Sequence, residues 1–91
     1  MNIEFATNDP ATAQRYLDNG DTDYMSDELK DAIIDAVKAG ACRIRDPYMY
    51  NGSPDMVKTS DTTTEAWDHH MSIIKPLFNR DWANRKAKEQ A

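Results

Sequence analysis

Polar and apolar positions along the chain fall into runs that predict separate elements. Residues 2–6 alternate, with Ile3 and Phe5 apolar between Asn2 and Glu4, which predicts a short strand. Asn8-Asp9-Pro10 then reads as a helix start. A short polar side chain caps the free N–H groups, and proline suits the first turn. The first helix is expected over Pro10 to Asp18, presenting Ala13, Tyr16 and Leu17, with Asn19-Gly20 as a left-handed stop. Asp21 to Met25 reads as a polar linker.

The clearest periodicity follows. Ser26 is a good N-cap, Asp27 and Glu28 suit the positive end of the helix dipole, and Leu29, Ala32, Ile33, Ala36 and Val37 keep helical spacing up to Gly40. Cys42 and Ile44 then alternate with Arg43 and Arg45, as in a half-buried strand. Asn51-Gly52 signals a turn, and Met56 to Thr59 reads as a return strand, so a hairpin is expected across residues 42–59. Asp61 or a neighbouring threonine is placed to cap the last helix. Its stripe takes in Ala66, Trp67, His70, Met71, Ile74, Leu77, Phe78 and Trp82. Pro76 lies within that stripe and predicts a kink, or two abutting helices, near Ile74-Lys75. Residues 85–91 read as a frayed charged end. These elements make a small, mostly helical α+β domain spanning residues 1–91, with two N-terminal helices, a short β-hairpin and a long kinked C-terminal helix. An all-α fold is the alternative.

Composition narrows the class. Ninety-one residues are 40% apolar and 30% charged, which fits one soluble domain and not a disordered chain. No apolar run approaches the length a membrane span needs, and no secretory signal is visible. One cysteine forbids an internal disulfide, so a cytoplasmic setting is expected. The net charge of −5 is unevenly spread. Residues 1–40 hold nine acids against three bases, whereas residues 41–91 are nearly balanced.

The acids themselves suggest a use. Asp27, Asp31 and Asp35 recur every four residues on the face away from Leu29 and Ile33. Like charges at that spacing destabilise a helix by about 0.2–0.5 kcal/mol a pair, and aspartate is a poorer helix former than glutamate. Neither choice favours the helix, so a recognition role is weighed against a merely solvated face. Asp18, Asp21 and Asp23 precede the helix and would extend the row. Such a surface could meet a basic partner or imitate nucleic acid. Tyr48 and Tyr50, beside the Asn51-Gly52 turn, are further candidates for partner contact.

Other chemistries find little support. The acids at 18–28 lack the Asp-x-Asp-x-Asp-Gly core and the twelfth-position glutamate of an EF-hand loop, and Asn19-Gly20 precedes the later acids instead of splitting them. His69 and His70 are adjacent and diverge on a helix, which does not suit a shared metal. Cys42 reads as a small buried hydrophobe, and no nucleophile elbow or phosphate loop is present. No cofactor, metal or catalytic residue is assigned.

The expected function is a non-enzymatic interaction module. It would act as a stoichiometric inhibitor or adaptor that binds a protein with a basic surface, without direct nucleic-acid or membrane binding. In size and acidity the chain is similar in style to small phage and mobile-element inhibitors such as anti-CRISPR and anti-restriction proteins, with no motif that assigns a family. The alternative is a nucleic-acid-associated regulator using Arg43, Arg45 and the basic C-terminal residues.

Overall fold

The computed structural model describes residues 6–20, 22–47 and 55–90. Six elements follow in chain order: β1 (Ala6–Thr7), α1 (Pro10–Asn19), α2 (Asp27–Lys38), β2 (Arg43–Arg45), β3 (Met56–Val57) and α3 (Thr64–Gln90). Helix α2 packs between α1 and α3, and α1 also lies against β1 and β2. The three strands form one antiparallel sheet with β2 in the middle. This sheet excludes the all-α alternative.

The hairpin pairs Arg43 with Val57 and Ile44 with Met56. Its turn, including Tyr48, Tyr50 and Asn51-Gly52, lies outside the described residues, as does most of the strand expected over residues 2–6. The observed strand β1, Ala6–Thr7, overlaps that expectation at Ala6 and pairs with Arg45 and Ile44 on the other edge of β2. The predicted hairpin is thus two strands of a three-stranded sheet. The strand alternation is real: Cys42 and Ile44 are buried and Arg43 and Arg45 half-buried.

Capping chemistry sets the helix ends. Asp9 accepts from the Thr12 backbone N–H (3.0 Å) and hydroxyl (2.7 Å), with Pro10 opening α1. Those two bonds hold the Asp9 carboxyl below its usual pKa. At the other end Gly20 is extended (φ −87°, ψ 179°), not left-handed as expected. The physical reason is Thr22, which is buried and donates its hydroxyl to the Leu17 carbonyl, doing the work of a left-handed cap. Ser26 caps α2 by accepting from the Leu29 N–H at 3.2 Å.

Gly40 takes the left-handed conformation, with φ +74°. The Gly40 N–H donates to Val37 (3.0 Å) and the Ala41 N–H to Ala36 (2.9 Å), the paired bonds of a Schellman stop. Ala36 and Ala41 are both fully buried there, closing the motif with an apolar contact. Thr63 caps α3 by accepting from the Ala66 N–H at 3.1 Å. Helix α3 continues unbroken through Pro76 to Gln90, so neither a break at the proline nor a coil from residue 85 is present. Pro76 is exposed, opposite the buried Met71 and Ile74, and the Ser72 carbonyl that loses its donor is on an exposed residue too. Solvent can satisfy that carbonyl.

The core gathers Ala13 and Leu17 from α1, Leu29, Ile33, Ile34, Ala36 and Val37 from α2, Cys42 and Ile44 from the sheet, and Met71 and Ile74 from α3. Burying each large aliphatic side chain contributes about 1.5–3 kcal/mol. Cys42 is 1% exposed, and burial pushes its thiol up to about 11.

Two predictions follow from these positions. Gly40→Ala meets no atom within 4 Å of its new Cβ, so its cost is backbone strain alone, about 1 kcal/mol in urea denaturation. Cys42 in the native protein should resist a disulfide thiol reagent at pH 8 and react only at the rate of unfolding. A burst of labelling in the native state would contradict its burial.

Candidate functional site

Helix α2 presents two faces built from the same twelve residues. Leu29, Ile33, Ala36 and Val37 point into the core, and Asp27, Asp31 and Asp35 are exposed on the opposite side. Each step of four residues advances about 6 Å and turns by about 40°, so the three carboxylates form a short, gently winding row. Glu28 and Lys38 are exposed on the same face. Among the described residues, Asp27, Asp31 and Asp35 make no ion pair within 4.0 Å.

The acids that precede α2 are placed differently. Asp18 is exposed at the end of α1, accepts from the Gln14 amide (3.1 Å) and pairs with Lys30 at 3.6 Å. Lys30 therefore partly neutralises Asp18 beside the row. Asp23 is exposed and lines a cleft with Tyr24, Asp81, Asn84, Arg85 and Lys88, next to the bases of α3. Asp21, Tyr48 and Tyr50 lie outside the described residues. Of the acids singled out from the sequence, the structure brings Asp27, Asp31 and Asp35 together as one unpaired row.

What fixes that row in place is a set of residues that spacing did not reveal. Asp81, on α3, is 4% exposed, and its Oδ2 accepts from the backbone N–H (2.9 Å) and hydroxyl (2.8 Å) of Ser26. Its Oδ1 accepts from Nε of Arg80 at 3.0 Å. The Arg80 fork also donates to the Ser26 hydroxyl (2.9 Å) and to Glu28 (2.7 Å). Every hydrogen-bonding position of the Ser26 hydroxyl is used: it donates to Asp81 and accepts from Leu29 and Arg80. Burial raises the Asp81 pKa, but the Ser26 bonds and the Arg80 guanidinium outweigh it and hold the carboxyl below its usual value. The hydrogen bond to Glu28, then that to Asp81, raises the pKa of Arg80. In the sequence the only trace is an acid at a core-facing position of α3, four residues after Leu77 and seven after Ile74.

Of the bases in the alternative reading, Arg43 and Arg45 are tied down within the molecule. Arg43 pairs with Asp61 at 3.2 Å, and Arg45 reaches Asp55 at 4.0 Å. The Thr59 hydroxyl and the Arg43 guanidinium lower the Asp61 pKa, and Thr59 and Thr62 fold the same loop back on itself. Arg43 thus fastens the loop before α3 to the sheet. His69 and His70 meet edge to face with ring centres 5.0 Å apart. Among the described residues no group of three or more histidine, cysteine or acidic side chains is placed to hold a metal ion, and no helix is long and apolar enough to cross a membrane.

Compared with known families, curated proteins and solved structures, the chain matches none.

The Asp81 node carries a pH prediction. A carboxyl whose pKa is depressed on folding contributes stability above its unfolded pKa of about 3.9 and loses it as pH falls through the folded value. Stability of the native chain should therefore drop below pH 4, and Asp81→Asn should remove part of that drop. At pH 7, Asp81→Ala should cost about 2–3 kcal/mol, as for a buried charged hydrogen-bond acceptor. Urea denaturation of both variants at pH 7 and pH 3 checks both statements.

Proposed function

We propose that the protein is a non-enzymatic interaction module that binds a basic surface of another protein through the exposed face of α2. The observation that supports this reading is the row of Asp27, Asp31 and Asp35, which lacks internal ion-pair partners among the described residues. These exposed carboxylates keep their lone pairs for arginine or lysine forks of a partner. Because α2 is anchored at its N-cap and stopped at Gly40, little ordering cost accompanies docking. The row is of similar scale to a run of backbone phosphates, so a nucleic-acid-binding protein is a natural class of partner. A stoichiometric inhibitor or adaptor, in the style of small mobile-element inhibitors, is the role this surface suits. A lone buried cysteine fits a reducing, cytoplasmic setting. Arg43 and Arg45 already serve Asp61 and Asp55, which counts against a direct nucleic-acid reading through those bases.

The decisive comparison is between two triple variants of equal charge. Asp27, Asp31 and Asp35 changed to Asn should weaken binding to an octa-arginine peptide about tenfold or more at low salt and flatten its salt dependence, with helical circular dichroism unchanged. Glu65, Asp68 and Glu89 changed to the matching amides should have a much smaller effect. Equal losses from the two triples would reduce the acidic face to bulk charge. A gel shift with duplex and single-stranded DNA should show no complex with the native chain.

A further inference from the structure

Helix α3 is longer than the body it packs on. Its 27 residues span about 40 Å, close to the 43 Å longest dimension of the molecule. Met71 and Ile74 are buried against α2, but the same stripe continues to Phe78 and Trp82, which are 36% and 37% exposed. Among the described residues Tyr24, from the linker before α2, packs its ring against both. Its ring meets Phe78 edge-on at 5.8 Å and Trp82 at 5.1 Å, and the Phe78 and Trp82 planes are parallel to within 6° at 6.2 Å.

Cations rim this aromatic surface. The Arg85 guanidinium is 5.3 Å from the Trp82 ring centre and 5.6 Å from that of Tyr24, and the Lys86 ammonium is 5.9 Å from Trp82. Lys88 borders the adjoining cleft of about 270 Å³. Arg85 is engaged by Glu89 at 3.1 Å, whereas Lys86 and Lys88 have no carboxylate within 4.0 Å among the described residues. An apolar surface beside two ammonium groups that pair with no carboxylate among the described residues is complementary to an apolar side chain flanked by carboxylates.

We propose that the distal part of α3, with Tyr24, is a second docking surface and that it takes an acidic peptide segment of another protein, with an apolar anchor set against Phe78 and Trp82. A nucleic-acid strand suits it less. Phe78, Arg85 and Lys86 already flank the Trp82 ring, leaving little bare face on which a base could stack. A second copy suits it less too. The acidic face of α2 carries no large exposed apolar residue, since Ile73, Phe78 and Trp82 are all on α3.

The test is a titration of the full chain, labelled with nitrogen-15, followed at the indole N–H of Trp82. The probes are the peptide Asp-Glu-Phe-Asp-Glu-Leu, its amide analogue Asn-Gln-Phe-Asn-Gln-Leu, and decathymidylate. The acidic peptide should shift the Trp82 signal saturably, and the amide analogue should bind about tenfold more weakly. Lys86→Gln with Lys88→Gln should remove that difference at unchanged circular dichroism. Asp27, Asp31 and Asp35 changed to Asn should leave it intact, so this surface and the α2 face stand or fall separately. No Trp82 shift up to about 1 mM acidic peptide, equal binding of the amide analogue, or tighter binding of decathymidylate would each overturn the proposal.

Discussion

The α2–α3 pairing turns on one buried carboxylate. Asp81 reaches across 55 residues of sequence to satisfy the first turn of α2, through the backbone and hydroxyl of Ser26. An isolated N-cap serine satisfies one of the orphan N–H groups that open a helix. Here the cap is itself capped, and Arg80 ties the same point to Glu28. A buried charge is costly unless its oxygens are all used, so this bonding is what makes the site tolerable. It also fixes where α3 lies along α2. Slide α3 by one turn and Asp81 loses Ser26 while still buried. The apolar contacts of Met71 and Ile74 set no such register, because neighbouring aliphatic positions interchange at modest cost.

Much of the fold was legible because local chemistry and tertiary demand agree. Pro10, Ser26 and Gly40 mark helix ends for reasons internal to each helix, and the Cys42–Arg45 alternation reports a half-buried strand. The left-handed Gly20 failed because Thr22 supplied another acceptor-satisfying group, a choice that depends on a side chain two residues away folding back. Pro76 sits within a continuous α3 because, on an exposed face, its missing N–H costs a hydrogen bond that water replaces. Asp81 was invisible for a different reason. An acid on an apolar stripe looks like a lapse in the pattern until its partner, distant in sequence, is known.

The candidate site was legible to the same degree and with the same limit. Four-residue spacing located Asp27, Asp31 and Asp35 on one face, because that is a property of one helix. Spacing could not show that Asp18 meets Lys30 or that Asp23 stands beside Arg85 and Lys88 across a cleft. The outcome is a molecule divided by charge: the carboxylates of Asp27, Asp31 and Asp35 along α2, without ion-pair partners among the described residues, and bases mixed with exposed aromatic rings toward the end of α3.

Placing the α2 anchor on the last helix has a consequence for synthesis on the ribosome. Chain growth delivers α1, α2 and the sheet strands first, before the α3 residues that share the core with α2. Met71, Ile74 and the Ser26 bonds to Asp81 arrive together with the final helix. Until then the apolar side of α2 stays open to water and to other chains. The Ser26 anchor of α2 therefore forms only once α3 has been made, because every bond of the node draws on Arg80 or Asp81.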